Sequence, residues 1–487
     1  MVPRPNRAGS LRRARQAILD YGLNAYALKE LAASSKIFCR GYQAWSVLAA
    51  ALYRQAGRRY EEARHVCLAL RLMEGLRMSP ALLRAHARVL DAAGAGRSGG
   101  RSLTENQLLQ SFLGTERARK SAWRFRQYGD AYASSMKFPR GSDDEKRLGN
   151  LVALKQFEES TGEKGVLYLQ YSDSIESFAA MFDMCRIADR YSLVLEPSSW
   201  GYQDESFLLL VGKDFDVVVQ AQDEPDFDYI NGLQCNFQPI RLGAGDWVDP
   251  ADFTPGTGGS RRFDFVMVAS WIPLKRHRVF FRSLAAAGLH SARVALIGYP
   301  WKGRTRVDIE RLAARAGLSG ITIFESVHRD IVAEVVRSSR VGVMLSRREG
   351  ANRGIYECLF SNVPVVVTRP NRGVNKAHVN QETGCLASDE ELPGALVKML
   401  ESSRHMSPRD WVLKNSGCNN AWRALNDFLA EGARKKGERF DRPIARIKSA
   451  PNIKYTVEED RLALRGAYDD LRNSLRRESD QMVRVRA

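Results

Sequence analysis

Seven cysteines are spread over the 487 residues, and no two of them stand in a Cys-x-x-Cys spacing. An odd, scattered set of that kind argues against a disulfide framework and against a structural zinc site. The cysteines read instead as reduced, buried small hydrophobes in a cytoplasmic protein. Long apolar runs are also missing, since no stretch approaches the ~20 residues needed to cross a bilayer. The first eighteen residues are basic without an apolar core, which argues against a secretory signal; their Arg and Ser content fits a transit peptide only loosely. Histidine is scarce, with seven in the chain and none between His86 and His277. Hydrophobic content is not lacking: at 44% it excludes an intrinsically disordered chain.

Acidic residues fall short of basic ones, giving a net charge of +18, and the distribution is uneven. Residues 1–150 carry a surplus of 15 positive charges, 151–250 a deficit of 12, 251–430 a surplus of 10 and 431–487 a surplus of 5. Segments so different in charge imply separate domains with different partners. No RRM, KH, zinc-finger or homeodomain pattern accompanies the basic excess, so nucleic acid is the weaker reading. Peripheral contact with an anionic membrane face, or an anionic small ligand, explains the same charge.

Residues 1–150 form a helical N-terminal region. Apolar side chains recur at three- and four-residue spacing, as in Leu19, Leu23, Tyr26, Ala27 and Leu31. Trp45-x-x-Leu48-Ala49, then Gly57, then Tyr60-Glu-Glu-Ala63 and Ala69-Leu-x-Leu72 resemble a tetratricopeptide helix pair, and Ser79-Pro80 is a helix start. One or two such units cannot make a solenoid. They serve either as a helical cap packed on the rest or as a module that docks a protein partner. The glycine-rich stretch 92–100 is a loop, and 104–160 reads as helix and loop without a firm function.

From Gly165 the pattern alternates. Strands over Gly165–Gln170, Ser192–Glu196, Phe215–Gln220 and Phe237–Leu242, with a helix over Ser174–Asp189, predict a short α/β lobe spanning 160–255. A second lobe, 262–430, has strands at 263–268, 293–297, 321–324, 341–345 and 364–367 alternating with helices, the pattern of an open doubly wound sheet. A basic tail, 431–487, carries a helix near 456–477 that packs on the first lobe or caps the second.

In such a sheet the ligand lies beyond the carboxyl ends of the strands. Four loops of the second lobe meet that condition: Ser270–His277, Gly298–Gly303, Ser326–His328 and Ser346–Gly354. Gly350 and Gly354 flank a helix start, where backbone N–H groups can approach a phosphate. Lys275, Arg347, Arg348 and Arg353 supply charge suited to a diphosphate.

Residues 262–400 resemble the donor-binding lobe of GT4-type retaining glycosyltransferases of the GT-B fold. Glu349-Gly-Ala-Asn-Arg-Gly-Ile-Tyr-Glu357 has that family's two glutamates with seven residues between them, a strand ending in Ser346 before it and Asn362-Val-Pro364 after it. Lys275-Arg-His matches its diphosphate-contacting lysine, and Gly298 its strand-ending glycine. Gly373-Val-Asn375 and Thr383-Gly384-Cys-Leu386 match its later loops, and Gly245–Pro255 resembles the segment before its interlobe linker. The resemblance covers about a third of the chain. It implies two Rossmann-like lobes and transfer of a sugar, of hexosyl type, from a nucleoside-diphosphate sugar to a sugar or lipid-linked acceptor in polysaccharide or glycolipid synthesis.

It also implies roles. Glu357 would hold the ribose hydroxyls, and Glu349 would bond the donor sugar as the catalytic carboxylate. Lys275 and the N–H groups of Gly350, Ala351, Asn352 and Arg353 would hold the diphosphate, and base selection would fall near His328. No cofactor is implied, and no metal for the leaving group; the second lobe has no Asp-x-Asp motif. Ser270 stands where the family usually has an arginine, which shifts phosphate contact toward Arg276, Lys302 or Arg353. The first lobe has Tyr171-Ser-Asp-Ser in place of a Gly-Gly loop and no family histidine, leaving Asp173 and Glu196 as acceptor-side candidates. The alternative function is a non-catalytic nucleotide-sugar-binding scaffold that works through the helical N-terminus.

Overall fold

The computed structural model describes residues 28, 32, 35–95, 100–122, 151–197, 202–256, 261–301, 303–350, 352–450 and 452–476. The helical pattern before Lys36, residues 96–99 of the glycine-rich loop, 123–150, and the end of the tail lie outside the described residues. The chain divides into two compact units: Ser35–Leu242 with Trp422–Ile447 and Pro451–Ala487, and Gly243–Ala421 with Lys448–Ala450.

The described residues of the first unit include, before its sheet, the helices α1 (Lys36–Gln55), α2 (Arg59–Leu72), α3 (Pro80–Ala93) and α4 (Gln107–Leu113). Their starts and stops follow from local chemistry. Ser35 and Ser79 accept hydrogen bonds from Phe38 N and Leu82 N, Pro80 occupies the first turn of α3, and Gly94 ends it in the left-handed region. Helices α1 and α2 are the predicted pair, turning at Gly57, whose φ is +71°. Tyr60, Ala63, Ala69, Leu70 and Leu72 of α2 are buried, but Trp45 and Leu48, which a tetratricopeptide pair would bury, are 51% and 60% exposed.

A five-stranded sheet follows in the order β1 (Leu151–Lys155), β2 (Gly165–Gln170), β3 (Tyr191–Glu196), β4 (Val217–Gln220) and β5 (Phe237–Ile240). It is parallel except at β1, which runs antiparallel to β2. Strand β1 lies where the sequence predicts helix and loop, because five consecutive buried residues carry no period that separates a strand from a buried helix. The predicted helix Ser174–Asp189 is instead two helices, α5 (Asp173–Met181) and α6 (Met184–Arg190). Asp183 begins the second by accepting from Cys185 N and Arg186 N.

One face of the sheet, Leu167, Leu169, Leu193, Leu195, Val217 and Val219, shares a single hydrophobic core with α2–α6, so the N-terminal helices are built into the same core as the sheet. Asn106 ties them to it. Its Oδ1 accepts from Leu108 N and Leu109 N, and its Nδ2 donates to Leu208 O and Val211 O, all at 2.8–3.0 Å and fully buried.

The second unit holds a six-stranded parallel sheet of β6 (Phe263–Val268), β7 (Val294–Gly298), β8 (Ile321–Glu325), β9 (Ser339–Met344), β10 (Val365–Thr368) and β11 (Gly384–Ala387). The spatial order is β11-β10-β9-β6-β7-β8, so the winding reverses between β6 and β9. Strand β11 falls on the stretch read from the sequence as a donor-side loop. Alternate residues feed two cores on opposite faces: Val266, Val365 and Val367 on one, Phe265, Met267, Val341 and Val366 on the other. Helices α7 (Glu224–Gly232), α8 (His277–Ala286), α9 (Arg306–Arg315), α10 (Arg329–Arg337), α11 (Arg353–Phe360), α12 (Leu392–Ser402) and α13 (Pro408–Asn415) connect strands in the two sheets or follow them.

Helix α14 (Cys418–Lys436) then leads the chain back to the first unit. The single predicted tail helix is two, α15 (Glu458–Ala463) and α16 (Arg465–Asn473). Ala467, Tyr468 and Leu471 of α16 enter the first unit's core, and Tyr468 and Tyr455 hydroxyls bond the N–H and C=O of Ala153 on β1.

Replacing Asn106 by alanine strands two buried N–H groups and two buried carbonyls. Asn106→Ala is expected to destabilise the protein by about 2–4 kcal/mol, seen as a lowered denaturation midpoint in urea. A change under about 1 kcal/mol would show that the four bonds are replaced by solvent.

Candidate functional site

The reversal between β6 and β9 leaves a gap at their carboxyl ends, where the loops that follow diverge to opposite faces. The loop after β6 passes through Trp271, whose Nε1 donates to Glu325 Oε2 at 2.7 Å, and a short turn Pro273–Lys275. It ends at Arg276, a non-glycine residue at φ +61° that is 2% exposed. The Arg276 guanidinium donates to both carboxylate oxygens of Asp389, at 2.9 and 2.5 Å, and to Leu345 O at 3.2 Å. Arg347 Nη2 joins Asp389 at 3.1 Å. Burial alone would raise the Asp389 carboxyl, but its hydrogen bond to Arg276 and the charges of both arginines outweigh this and hold it below the usual range. Arg276 is therefore engaged in joining three loops, whereas the sequence reading assigned it to phosphate.

The loop after β9 is clamped to the loop after β10. Glu349 N donates to Arg372 O at 2.9 Å, Arg372 N to Arg347 O at 2.8 Å, and Asn371 Nδ2 to Ser346 O at 2.5 Å. Gly373 allows this approach: its φ is +86°, and a Cβ there would stand 1.9 Å from Glu349 O. Clamped in this way, Glu349 meets Lys275, whose Nζ lies 2.6 and 2.7 Å from the two carboxylate oxygens. Both side chains are largely buried, at 18% and 8% exposure. The two residues singled out from different loops, 74 positions apart, thus form one ion pair across the switch point.

Helix α11 starts directly after this loop. Asn352 caps it without a side-chain bond to the helix, so first-turn N–H groups keep their donor capacity. Three buried atoms on this cradle, Ser346 Oγ, Asn352 Nδ2 and Asn371 Oδ1, have no hydrogen-bond partner among the described residues, which leaves each open to water or a ligand. Arg353 Nη1 donates to Ser449 Oγ at 2.8 Å. Glu357, one turn into α11, is buried with Arg329 Nη1 3.9 Å away. Burial raises its carboxyl above the ordinary value, opposed by Arg329 and Arg353 and reinforced by Asp252.

Other predicted residues have different surroundings. Gly298 closes β7 where a Cβ would meet Ala269 O at 2.1 Å and the Trp271 ring at 2.6 Å, so its smallness serves packing. His328 caps α10, its Nδ1 accepting weakly from Asp330 N at 3.4 Å, and is 62% exposed. Gly350 lies between Glu349 and α11. Ala351 and Lys302 lie outside the described residues. In the first unit, Glu196 ends β3 buried, accepting from Gln170 Nε2 at 3.1 Å, and Asp173 is the first residue of α5.

Sequence reasoning missed Asp389, Asn371, Arg329 and Asp252, which are single polar residues in loops or at a helix start without a motif around them. It also missed a buried network behind Glu357: Tyr356 OH bonds His378 Nδ1 at 2.8 Å, and Asp246, which accepts from Ser416 Oγ at 2.5 Å, lies 3.9 Å from the same ring nitrogen. Burial pushes Asp246 up and His378 down, and each charge partly offsets the other's shift.

The clamp is testable through two glycines. Gly303 also has a positive φ but open space around it, so Gly303→Ala should cost about 1 kcal/mol. Gly373→Ala must also displace the Glu349 backbone, and is expected to cost at least about 2 kcal/mol more. Equal thermal midpoints for the two variants would show that the Glu349 loop is not held by this contact.

Residues 262–402 match the family model described as Glycosyl transferases group 1. No curated protein matches the chain in sequence. Among solved structures the chain is similar to the sucrose-phosphate synthase of Thermosynechococcus elongatus, at 15% identity and TM-score 0.45 over 68% of this chain and 79% of that one. It is similar to Anabaena HepE, solved in complex with UDP, at 14% identity and TM-score 0.43 over 55% and 78%. It is similar also to S. aureus TarM at 11% identity and TM-score 0.38 over 52% and 58%, and so spans little more than half of that protein's length. The family match covers less than half of the chain but contains Lys275, Arg276, Glu349, Glu357 and Asp389, which identifies this stretch as a glycosyl transferases group 1 domain.

Proposed function

We propose that the chain is a retaining glycosyltransferase that moves a hexosyl group from a nucleoside-diphosphate sugar to a hydroxyl acceptor. The observation that carries this reading is the Lys275–Glu349 pair at the switch point of a group 1 glycosyltransferase domain, with Glu357 eight residues on, in the helix that follows. In the donor complex the diphosphate competes for Lys275, which releases Glu349 to accept hydrogen bonds from hydroxyls of the sugar. Backbone N–H groups at the start of α11 face the diphosphate, and the buried Glu357 carboxylate takes the two ribose hydroxyls.

Transfer breaks the bond between the anomeric carbon and the diphosphate oxygen, and the electron pair leaves with the nucleoside diphosphate. The acceptor hydroxyl oxygen bonds the anomeric carbon on the face just vacated, and its proton passes to the departing diphosphate oxygen. Lys275 and the helix N-terminus stabilise the charge that grows on the leaving group, an electrostatic contribution worth several kcal/mol in a dry site. No metal is assigned a role. Asp173 and Glu196 are the acceptor-side candidates.

Polysaccharide or glycolipid synthesis with a lipid-linked acceptor suits the basic N-terminal and C-terminal segments, which would draw the protein to an anionic inner membrane face. Among the described residues no helix is long and apolar enough to cross a membrane. The helical N-terminus remains available to a protein partner, with Trp45 and Leu48 exposed on α1.

Calorimetry with UDP, GDP and ADP tests the donor site, and sugar-nucleotide turnover tests the chemistry. Glu357→Ala is expected to weaken the nucleotide that binds by about tenfold or more. Glu349→Ala should leave that affinity within a few-fold and cut turnover by about a hundredfold or more. Absence of binding by all three nucleotides would overturn the reading, and nucleotide binding without any turnover would favour a non-catalytic sugar-nucleotide sensor.

A further inference from the structure

Glu357 stands within a chain of alternating charges that the family resemblance does not describe. Arg329, the first residue of α10, places Nη1 3.9 Å from Glu357 Oε1 and Nη2 3.5 Å from Asp252 Oδ2. Its guanidinium lies over the Phe253 ring, 4.8 Å from the centroid. Asp252 receives Lys448 Nζ at 3.0 Å, and the same ammonium reaches Asp249 at 2.9 Å. On the other side Arg353, one helical turn before Glu357, donates to Ser449, a side chain that is 1% exposed. Lys448 and Ser449 are neighbours in a three-residue stretch that belongs to this unit although it lies 180 positions beyond the end of β6 in sequence.

The distances have a consequence for ligand binding. A carboxylate grips two neighbouring hydroxyls only when it is ionised and both oxygens are free to accept. Burial opposes ionisation, and a cation within ~4–6 Å favours it. At 3.9 Å, Arg329 supplies the field without donating a hydrogen bond to Glu357, so it consumes neither carboxylate oxygen. Phe253 beneath the guanidinium and Asp252 beside it keep the arginine from turning further in. Asp252, left alone, would pull Arg329 away and repel Glu357; Lys448 offsets that charge.

We propose that Arg329 is a positioning residue of the nucleotide site, keeping Glu357 ionised with both oxygens clear for the ribose, and that Lys448 and Ser449 belong to the same site by holding Asp252 and Arg353 on either side. This rests on the reading of Glu357 as the ribose-binding carboxylate. The charged groups facing Glu357 are Arg329 from α10, Arg353 from its own helix and Asp252 from the segment before β6; the adjacent Cys358 thiol is buried, with its ionisation pushed well up. Because Glu357 must be charged to bind, affinity falls as pH drops through its ionisation. Removing Arg329 raises that ionisation and moves the loss to higher pH.

The test is calorimetry on the full chain between pH 5.5 and 8.5, using whichever of UDP, GDP and ADP binds the wild type. Arg329→Met should weaken binding about tenfold at neutral pH, and its acid limb should rise by about one pH unit. Arg329→Lys, which keeps the charge, should recover most of the affinity. Lys448→Met, at a partly exposed position, should weaken binding about threefold with a smaller rise of the acid limb. Glu357→Gln separates the two layers. If Glu357→Gln binds as the wild type does, the ribose assignment and the proposal fall together. If it weakens binding but Arg329→Met keeps the wild-type affinity, or loses affinity equally at every pH, Arg329 has no electrostatic part in the site and the proposal alone is overturned.

Discussion

Arg276 is held in a left-handed backbone conformation with its guanidinium buried against Asp389 and the carbonyl of Leu345, and the geometry of the loops at the second unit's switch point depends on that arrangement. A buried cation is tolerable only when it is paired and its donors are satisfied, so the pair specifies position more than it adds stability. Here the partners come from loops after β6, β9 and β11. With Arg276 seated, the preceding residue must emerge beside the β9 loop, which is where Lys275 meets Glu349. The order of the sheet supplies the gap, and the buried arginine sets what faces it.

The same loops depend on an absence of atoms. Gly373 brings the strand-like run after β10 against the Glu349 backbone, and Gly298 lets the end of β7 lie on Trp271. These glycines act on the site through the backbone they allow to approach, so their chemistry is steric. Around Glu357 the control is electrostatic instead, because a buried carboxylate beside Arg329, Arg353 and Asp252 is set by charges that are themselves paired with Lys448 and Ser449. A short piece of the C-terminal segment therefore contributes to a domain whose strands lie far from it in sequence.

The first unit uses its sheet differently. Its strands are short and follow one another in chain order, and the face carrying Leu167, Leu193 and Val217 is buried against helices from the N-terminal region and from the tail. What reads in sequence as a short lobe with a separate helical region is one hydrophobic core. Asn106, through four buried hydrogen bonds, and the paired tyrosines 455 and 468 on β1 are polar fastenings for that core.

Much of this was legible in the amino-acid order. Short apolar runs alternating with helical periods marked nine of the sheet strands, because such patterns are local and repeat at fixed periods, and the Glu349–Glu357 spacing was legible through its resemblance to a family motif. Strand β1 and the break at Asp183 escaped, since a five-residue buried run has no diagnostic period and a single aspartate can cap a helix or merely sit in one. The sequence by itself determined the α/β class of the second unit's domain and, through a family resemblance, nominated Lys275, Glu349 and Glu357. Only the tertiary structure decided that Arg276 serves Asp389, that His328 caps a helix and that Arg329 and Ser449 reach the neighbourhood of Glu357. Those assignments depend on which loops meet at a switch point and on which charges are buried together, and contacts between residues tens to hundreds of positions apart leave no periodic trace in a single chain.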